Sequence, residues 1–212
     1  ATAARPQRLR RRREALPGAA PAAVPAADPV ALAPPGGGRE RQLGTVIHRL
    51  LELAAGDERP PRVDARDRAR ADFLLRQAGF AGAGLLTATE EALAHLERTL
   101  ADVHGGRWLL SPHPEAAAEL PLTAVDETGE PRELIIDRCF RDAATGERWL
   151  VDYKTGAPRS GEAPQAFVAR ERAAHADQLE RYRDALAAFC GEPVRCGLYF
   201  TAIGAFCELS GS

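Results

Sequence analysis

The stretch WLVDYKTG, Trp149 to Gly156, sets a short apolar run against an acid and a lysine two residues apart. An apolar run of this length, bounded by turn residues, reads as a buried strand. Side chains alternate between the faces of a strand, so Asp152 and Lys154 project together while Tyr153 points the other way. The pair has two readings. It is a structural ion pair at a strand end, or it is catalytic chemistry.

The neighbouring segments place this strand in a sheet. Glu119 to Val125, Glu133 to Phe140 and Arg148 to Tyr153 carry strand patterns separated by the turn-rich ETGEP and DAATGE, which predicts an antiparallel meander. After a loop from Thr155 to Pro164, a long helix is predicted from Gln165 to Phe189. Strands Val194 to Thr201 and Ala205 to Leu209 follow. Upstream the period changes. Leu43, Val46, Ile47, Leu50, Leu51 and Ala54 form a helical stripe between Arg41 and Ala55. Two further helices are predicted, from Asp64 to Gln77 and from Thr87 to His104. Thr87-x-x-Glu90 has the form of a capping box, and Gly105-Gly106 would stop the third helix. Helices, a meander, a long helix and a last strand argue for an α/β or α+β fold with a mixed central sheet flanked by helices.

The chain has 212 residues, 45% hydrophobic and 27% charged, which suits one globular domain carrying a tail. Residues 1–38 hold a basic cluster, RLRRRRE, and an Ala/Pro run ending in PPGGG; this segment reads as an extended linker, with the folded domain at 39–212. With 28 basic and 30 acidic residues, no global positive field advertises nucleic acid, so such a partner must be held locally. Cys139, Cys190, Cys196 and Cys207 lack C-x-x-C pairing, and no signal peptide or membrane-length apolar run is present, so a cytoplasmic location without a membrane partner is expected. The absence of methionine, also at position 1, reads as a piece of a longer protein.

Asp137 lies inside a second apolar strand, LIIDRCF, where a charge is costly unless it is paired or bound to metal. Two adjacent strands that each present one carboxylate can share a divalent cation. Mg²⁺ takes few protein carboxylates and completes its shell with water and phosphate, which suits phosphoryl transfer. Lys154 could then orient a water or stabilise charge on the phosphorane. His48, on the first helix with Gly44 and Glu52 on the same face, is the third candidate ligand. No HExxH pattern supports a zinc site there.

GTVIHRLLE (Gly44 to Glu52), Glu119 before a strand, IIDR (Ile135 to Arg138), VDYKTG (Val151 to Gly156) and QLERY (Gln178 to Tyr182) occur in an order that resembles the RecB-type PD-(D/E)XK nuclease domain. Within that group the chain is most similar to the C-terminal nuclease domain of AddA/RecB-like helicase-nuclease subunits. The resemblance runs from Arg41 to Leu209. It implies a restriction-endonuclease-like core. His48, Asp137 and Asp152 would be metal ligands, with the backbone carbonyl of Tyr153. Lys154 would be the catalytic lysine and Glu119 an acid organising metal or water. Gln178 and Tyr182 would lie on the long helix near DNA.

The resemblance also implies Mg²⁺, replaceable by Mn²⁺, and cleavage of single-stranded DNA ends fed by a UvrD-like helicase in the same chain. An AddB-like second subunit and a role in double-strand break repair and recombination belong to the same implication. A catalytically inactive docking module and a stand-alone exonuclease are the alternatives. One departure from the family pattern is Leu134, where a glycine is usual three residues before the acid; it removes no ligand. An iron-sulfur cluster is not expected, because Cys139 and Cys207 do not join Cys190 and Cys196 in a four-thiolate spacing.

Overall fold

The computed structural model describes residues 37–56, 61–125 and 131–209. The basic cluster, the Ala/Pro run and the turn at 126–130 lie outside the described residues. The domain is built from five helices and five strands among the described residues: α1 (Gly37–Ala54), α2 (Ala65–Gln77), α3 (Gly82–Ala101), α4 (Gly106–Leu110), β1 (Ala117–Val125), β2 (Pro131–Arg141), β3 (Arg148–Lys154), α5 (Pro164–Cys190), β4 (Val194–Phe200) and β5 (Ala205–Leu209).

The helix starts and stops follow local chemistry. The predicted stripe of α1 is buried throughout, with Ile47, Leu50 and Leu51 at 1, 2 and 0% exposure. Burial of that kind contributes roughly 1.5–3 kcal/mol per side chain. Helix α2 begins with a true capping box: Asp64 accepts from the amides of Arg66 and Asp67, and the Asp67 carboxylate accepts from the Asp64 amide. The box read at Thr87 does not form. Helix α3 starts at Gly82 with Ala81 as its N-cap, and Thr87 donates its hydroxyl to the carbonyl of Ala83 inside the helix. The helix thus begins five residues before the expected Thr87, because the buried stripe of Leu85, Ala88, Ala92 and Leu96 carries it back through Gly82 and Gly84. Helix α3 ends at Ala101 with Asp102 as its C-cap, three residues before the expected His104, and Gly106 opens the short α4, which the sequence pattern did not show. Helix α5 opens with Pro164 in its first turn and closes on Gly191, whose φ of 72° is left-handed and suits glycine. Among the described residues no helix is long and apolar enough to cross a membrane.

The sheet order is β1-β2-β3-β4-β5; β3 and β4 are parallel and every other neighbouring pair is antiparallel. The parallel pair requires a crossover, and α5 supplies it. Alternating side chains give the sheet two cores. Phe140, Trp149, Val151, Tyr153 and Tyr199 pack against α1–α4 on one face. Cys139, Leu150, Cys196, Leu198 and Phe200 pack against Phe167, Leu179 and Leu186 of α5 on the other. The mixed sheet flanked by helices expected from the sequence is the fold observed.

Candidate active site

The end of β3 is where the two cores meet polar chemistry. Tyr153 belongs to the α1–α4 face, and Leu150, two residues before Asp152, to the α5 face. Asp152 and Lys154 therefore project on the α5 side, and they touch: Lys154 Nζ lies 2.8 Å from Asp152 Oδ2. The contact is ionic without good hydrogen-bond direction, so the same Oδ2 is a buried acceptor with no hydrogen-bond partner. Burial pushes the Asp152 carboxyl up, and the Asp137 charge pushes it further, against the pull of Lys154.

Asp137 stands where two strand ladders open. The β2–β3 pairing runs from Arg141↔Arg148 to Arg138↔Val151 and stops one residue short of Asp137 and Asp152. The β1–β2 pairing includes Ala118↔Arg138 and Leu120↔Ile136 but skips Glu119 and Asp137 between them. Both strands also exchange faces there. Leu120, Leu122, Leu134 and Ile136 pack toward α5 on one side of the gap, and on the other side Ala117 and Cys139, of opposite parity, do so. Glu119 carries the distortion as a φ of 47°, a left-handed conformation rare for a residue with a side chain. The Tyr153 amide, which a regular ladder would pair with backbone, instead donates to Asp137 Oδ2 at 2.8 Å. That bond orients the carboxylate and leaves Oδ1 3.4 Å from His48 Nδ1.

His48 reaches this point because α1 packs close to the turn after β3. A Cβ on Gly44 would lie 3.1 Å from Thr155 Oγ1, a tight approach that any larger side chain would push apart. His48 also meets the Tyr153 ring edge-on, with centroids 5.7 Å apart. Burial alone would lower the His48 pKa. Asp137, and then Asp152 and Glu119, outweigh it and hold the imidazole above its ordinary value. The Glu119 carboxyl is likewise raised, by burial first and by Asp137 next. The upward shifts of Glu119, Asp152 and His48 have a common component, the negative charge at Asp137.

His48, Glu119 and Asp137 each offer one ligand atom, and these atoms lie within 4.8 Å of one another. Ligands on opposite sides of a divalent cation sit about 4–5 Å apart, so an oxygen-rich set of this span fits one without rebuilding the chain. The expected ligands were His48, Asp137, Asp152 and the Tyr153 carbonyl, with Glu119 organising metal or water; the structure brings Glu119 within ligand reach of His48 and Asp137 and sets Asp152 beside Lys154. Glu52, one turn along α1, is ion-paired with Arg49. Gln178 and Tyr182 are half-buried on α5; Gln178 Oε1 lies 3.3 Å from His175 Nδ1, and Tyr182 packs on the α5-side core. Among the described residues neither is hydrogen-bonded to the acids.

One signal in the sequence was available and bears on the site. Lys154 is the only lysine among the chain's 28 Lys and Arg residues. Arginine serves every other cationic position, so the compact ammonium is kept where a planar fork would not substitute.

A mixed sheet with helices on both faces, carrying acids at its strand ends beside a lysine, defines a restriction-endonuclease-like fold. The chain belongs to the PD-(D/E)XK nuclease superfamily, whose family model matches residues 26–204. Membership implies hydrolysis of phosphodiester bonds in nucleic acid. No curated protein matches the chain.

Proposed function

We propose that this domain is a Mg²⁺-dependent deoxyribonuclease of the RecB type, the cytoplasmic nuclease part of a helicase-nuclease that processes broken DNA ends. The observation that carries the reading is the cluster of His48, Glu119, Asp137 and Asp152 around one excess of negative charge, with the lone lysine 2.8 Å from one of its acids. The D-x-K of the superfamily name corresponds to Asp152-Tyr153-Lys154, and Asp137 to the preceding acid. The order of the motifs supports the helicase-nuclease context, with a UvrD-like motor in the same protein and an AddB-like partner.

His48, Glu119 and Asp137 would hold the cation, with Asp152 completing the negative surround. Bound there, it would neutralise phosphate charge and make water a better nucleophile near neutral pH. The chain's own residues do the rest. The Tyr153 amide holds one oxygen of Asp137 and so aims the other into the cluster. Asp152 keeps the ammonium of Lys154 at the strand end, 18% exposed, where it can donate to a phosphate oxygen and to a water at once. Gln178 and Tyr182 lie on α5, which covers the face bearing Asp152 and Lys154, and would meet the DNA backbone there.

The test is cleavage of single-stranded DNA in Mg²⁺, with calorimetry of Mn²⁺ binding. Asp152→Ala and Lys154→Ala should each abolish cleavage with the circular dichroism unchanged. Asp137→Asn should remove the binding heat. Cleavage retained in both alanine variants would overturn the assignment.

A further inference from the structure

Thr201 and His95 belong to none of the motifs above, yet both are buried polar side chains, at 0 and 6% exposure. They converge on Lys154 from behind. The Lys154 carbonyl oxygen accepts the Thr201 amide at 3.0 Å and the Thr201 hydroxyl at 3.2 Å. Thr201 Oγ1 in turn lies 2.7 Å from His95 Nδ1, on the buried face of α3.

Proton counting sets the direction of this chain. A threonine hydroxyl has one proton, and if it goes to the Lys154 carbonyl then His95 must bring an Nδ1–H to Oγ1. Burial, with Arg98 nearby, holds the imidazole neutral with a pKa lowered to about 4. The ring therefore has a single N–H, and because the Thr201 hydroxyl donates to the Lys154 carbonyl, the contact with Oγ1 requires it on Nδ1. Donation runs from His95 to Thr201 to the carbonyl.

The carbonyl needs none of this for its own satisfaction. The Thr201 amide alone continues the β3–β4 ladder beyond Lys154↔Phe200. Hydrocarbon side chains at 95 and 201 would avoid the cost of burying two polar groups. What the second donor adds is direction: it fixes the peptide plane from which the lysine side chain departs. The next residue is held as well, by the close approach of Gly44 to Thr155.

We propose that Thr201 and His95 are positioning residues for Lys154, a hydrogen-bonded chain from α3 through the end of β4 that aims the ammonium at the site. This rests on the reading of Lys154 as catalytic. The experiment uses the 212-residue chain with Thr201→Val, Thr201→Ser, His95→Leu and Lys154→Ala. Thr201→Val and His95→Leu should lower kcat on single-stranded DNA roughly ten- to a hundredfold, the scale of a misplaced catalytic group. KM should stay within about twofold, and Thr201→Ser should recover kcat to within about threefold. Labelling with ¹³C,¹⁵N-lysine gives a single lysine signal set, since the chain has one lysine. The Lys154 carbonyl resonance should move in Thr201→Val and return in Thr201→Ser. An unmoved carbonyl signal, an unchanged kcat in Thr201→Val, or a Thr201→Ser variant as impaired as Thr201→Val would each overturn the proposal. Wild-type cleavage by Lys154→Ala is a different failure, that of the catalytic reading, and the lysine signals would still decide whether the clamp exists.

Discussion

Acidification should destabilise the domain through one imidazole. His95 is buried and neutral in the fold, with a pKa of about 4 against 6.5 when solvated. As pH falls from neutrality the unfolded chain takes up this proton first, so stability drops through the interval between the two values and levels off below the lower one. Integrating the difference gives a loss of about 2 kcal/mol by about pH 5 and at most about 3 kcal/mol at about pH 4. The side chain is only 6% exposed, so solvent screening removes little of this.

Other groups titrate in the same range. The raised His48 contributes with the opposite sign: its stabilisation is present below the unfolded value and lost as pH rises through the folded one. The measurement is therefore a difference between wild type and His95→Gln, followed by urea unfolding with Trp108 and Trp149 fluorescence at several pH values. Wild type should lead by less, or trail, as the solution is acidified, the gap changing by roughly 2 kcal/mol between about pH 7 and 5. Curves that stay parallel to within about 0.5 kcal/mol would refute a buried neutral His95.

Two further outcomes follow from the site. Glu119→Gly should raise the melting temperature, because glycine relieves the φ of 47°, a gain of about 0.5–1 kcal/mol, while Mn²⁺ binding heat falls; a lower melting temperature would count against strain at Glu119. Lys154→Arg should preserve the ion pair with Asp152 and the fold yet cut DNA cleavage by about a hundredfold, because a fork cannot occupy the place of an ammonium; near-wild-type cleavage would show that charge alone suffices.

Regular periodicity made the fold legible. The stripe of α1, the strand runs and the long α5 all appear where the periodicity places them, α5 running from Pro164 to Cys190 against an expected Gln165 to Phe189. The expected start of α3 at Thr87 falls five residues late, because Gly82 and Gly84 are poor helix residues and burial against α1 and α2 is what makes this stretch helix. Asp137 and Asp152 were conspicuous as charges in apolar runs. Glu119 came from the motif resemblance alone, because its place among the ligand atoms depends on two ladders opening at the same residue, a tertiary event with no local signature. His95 and Thr201 were hidden for a similar reason: a single histidine in a helix and a threonine at the end of a strand have ordinary readings until the fold joins them.

The single lysine has a chemical corollary. Reagents and enzymes that modify side-chain amines have one address in these 212 residues, and it is the end of β3. On the role proposed for Lys154, an acetyl donor or an amine-reactive dye attached to that side chain would be an inactivator, and DNA bound at the proposed site would shield it. The mass of the peptide that carries Lys154, read separately from the α-amino label, then counts modification at that one position.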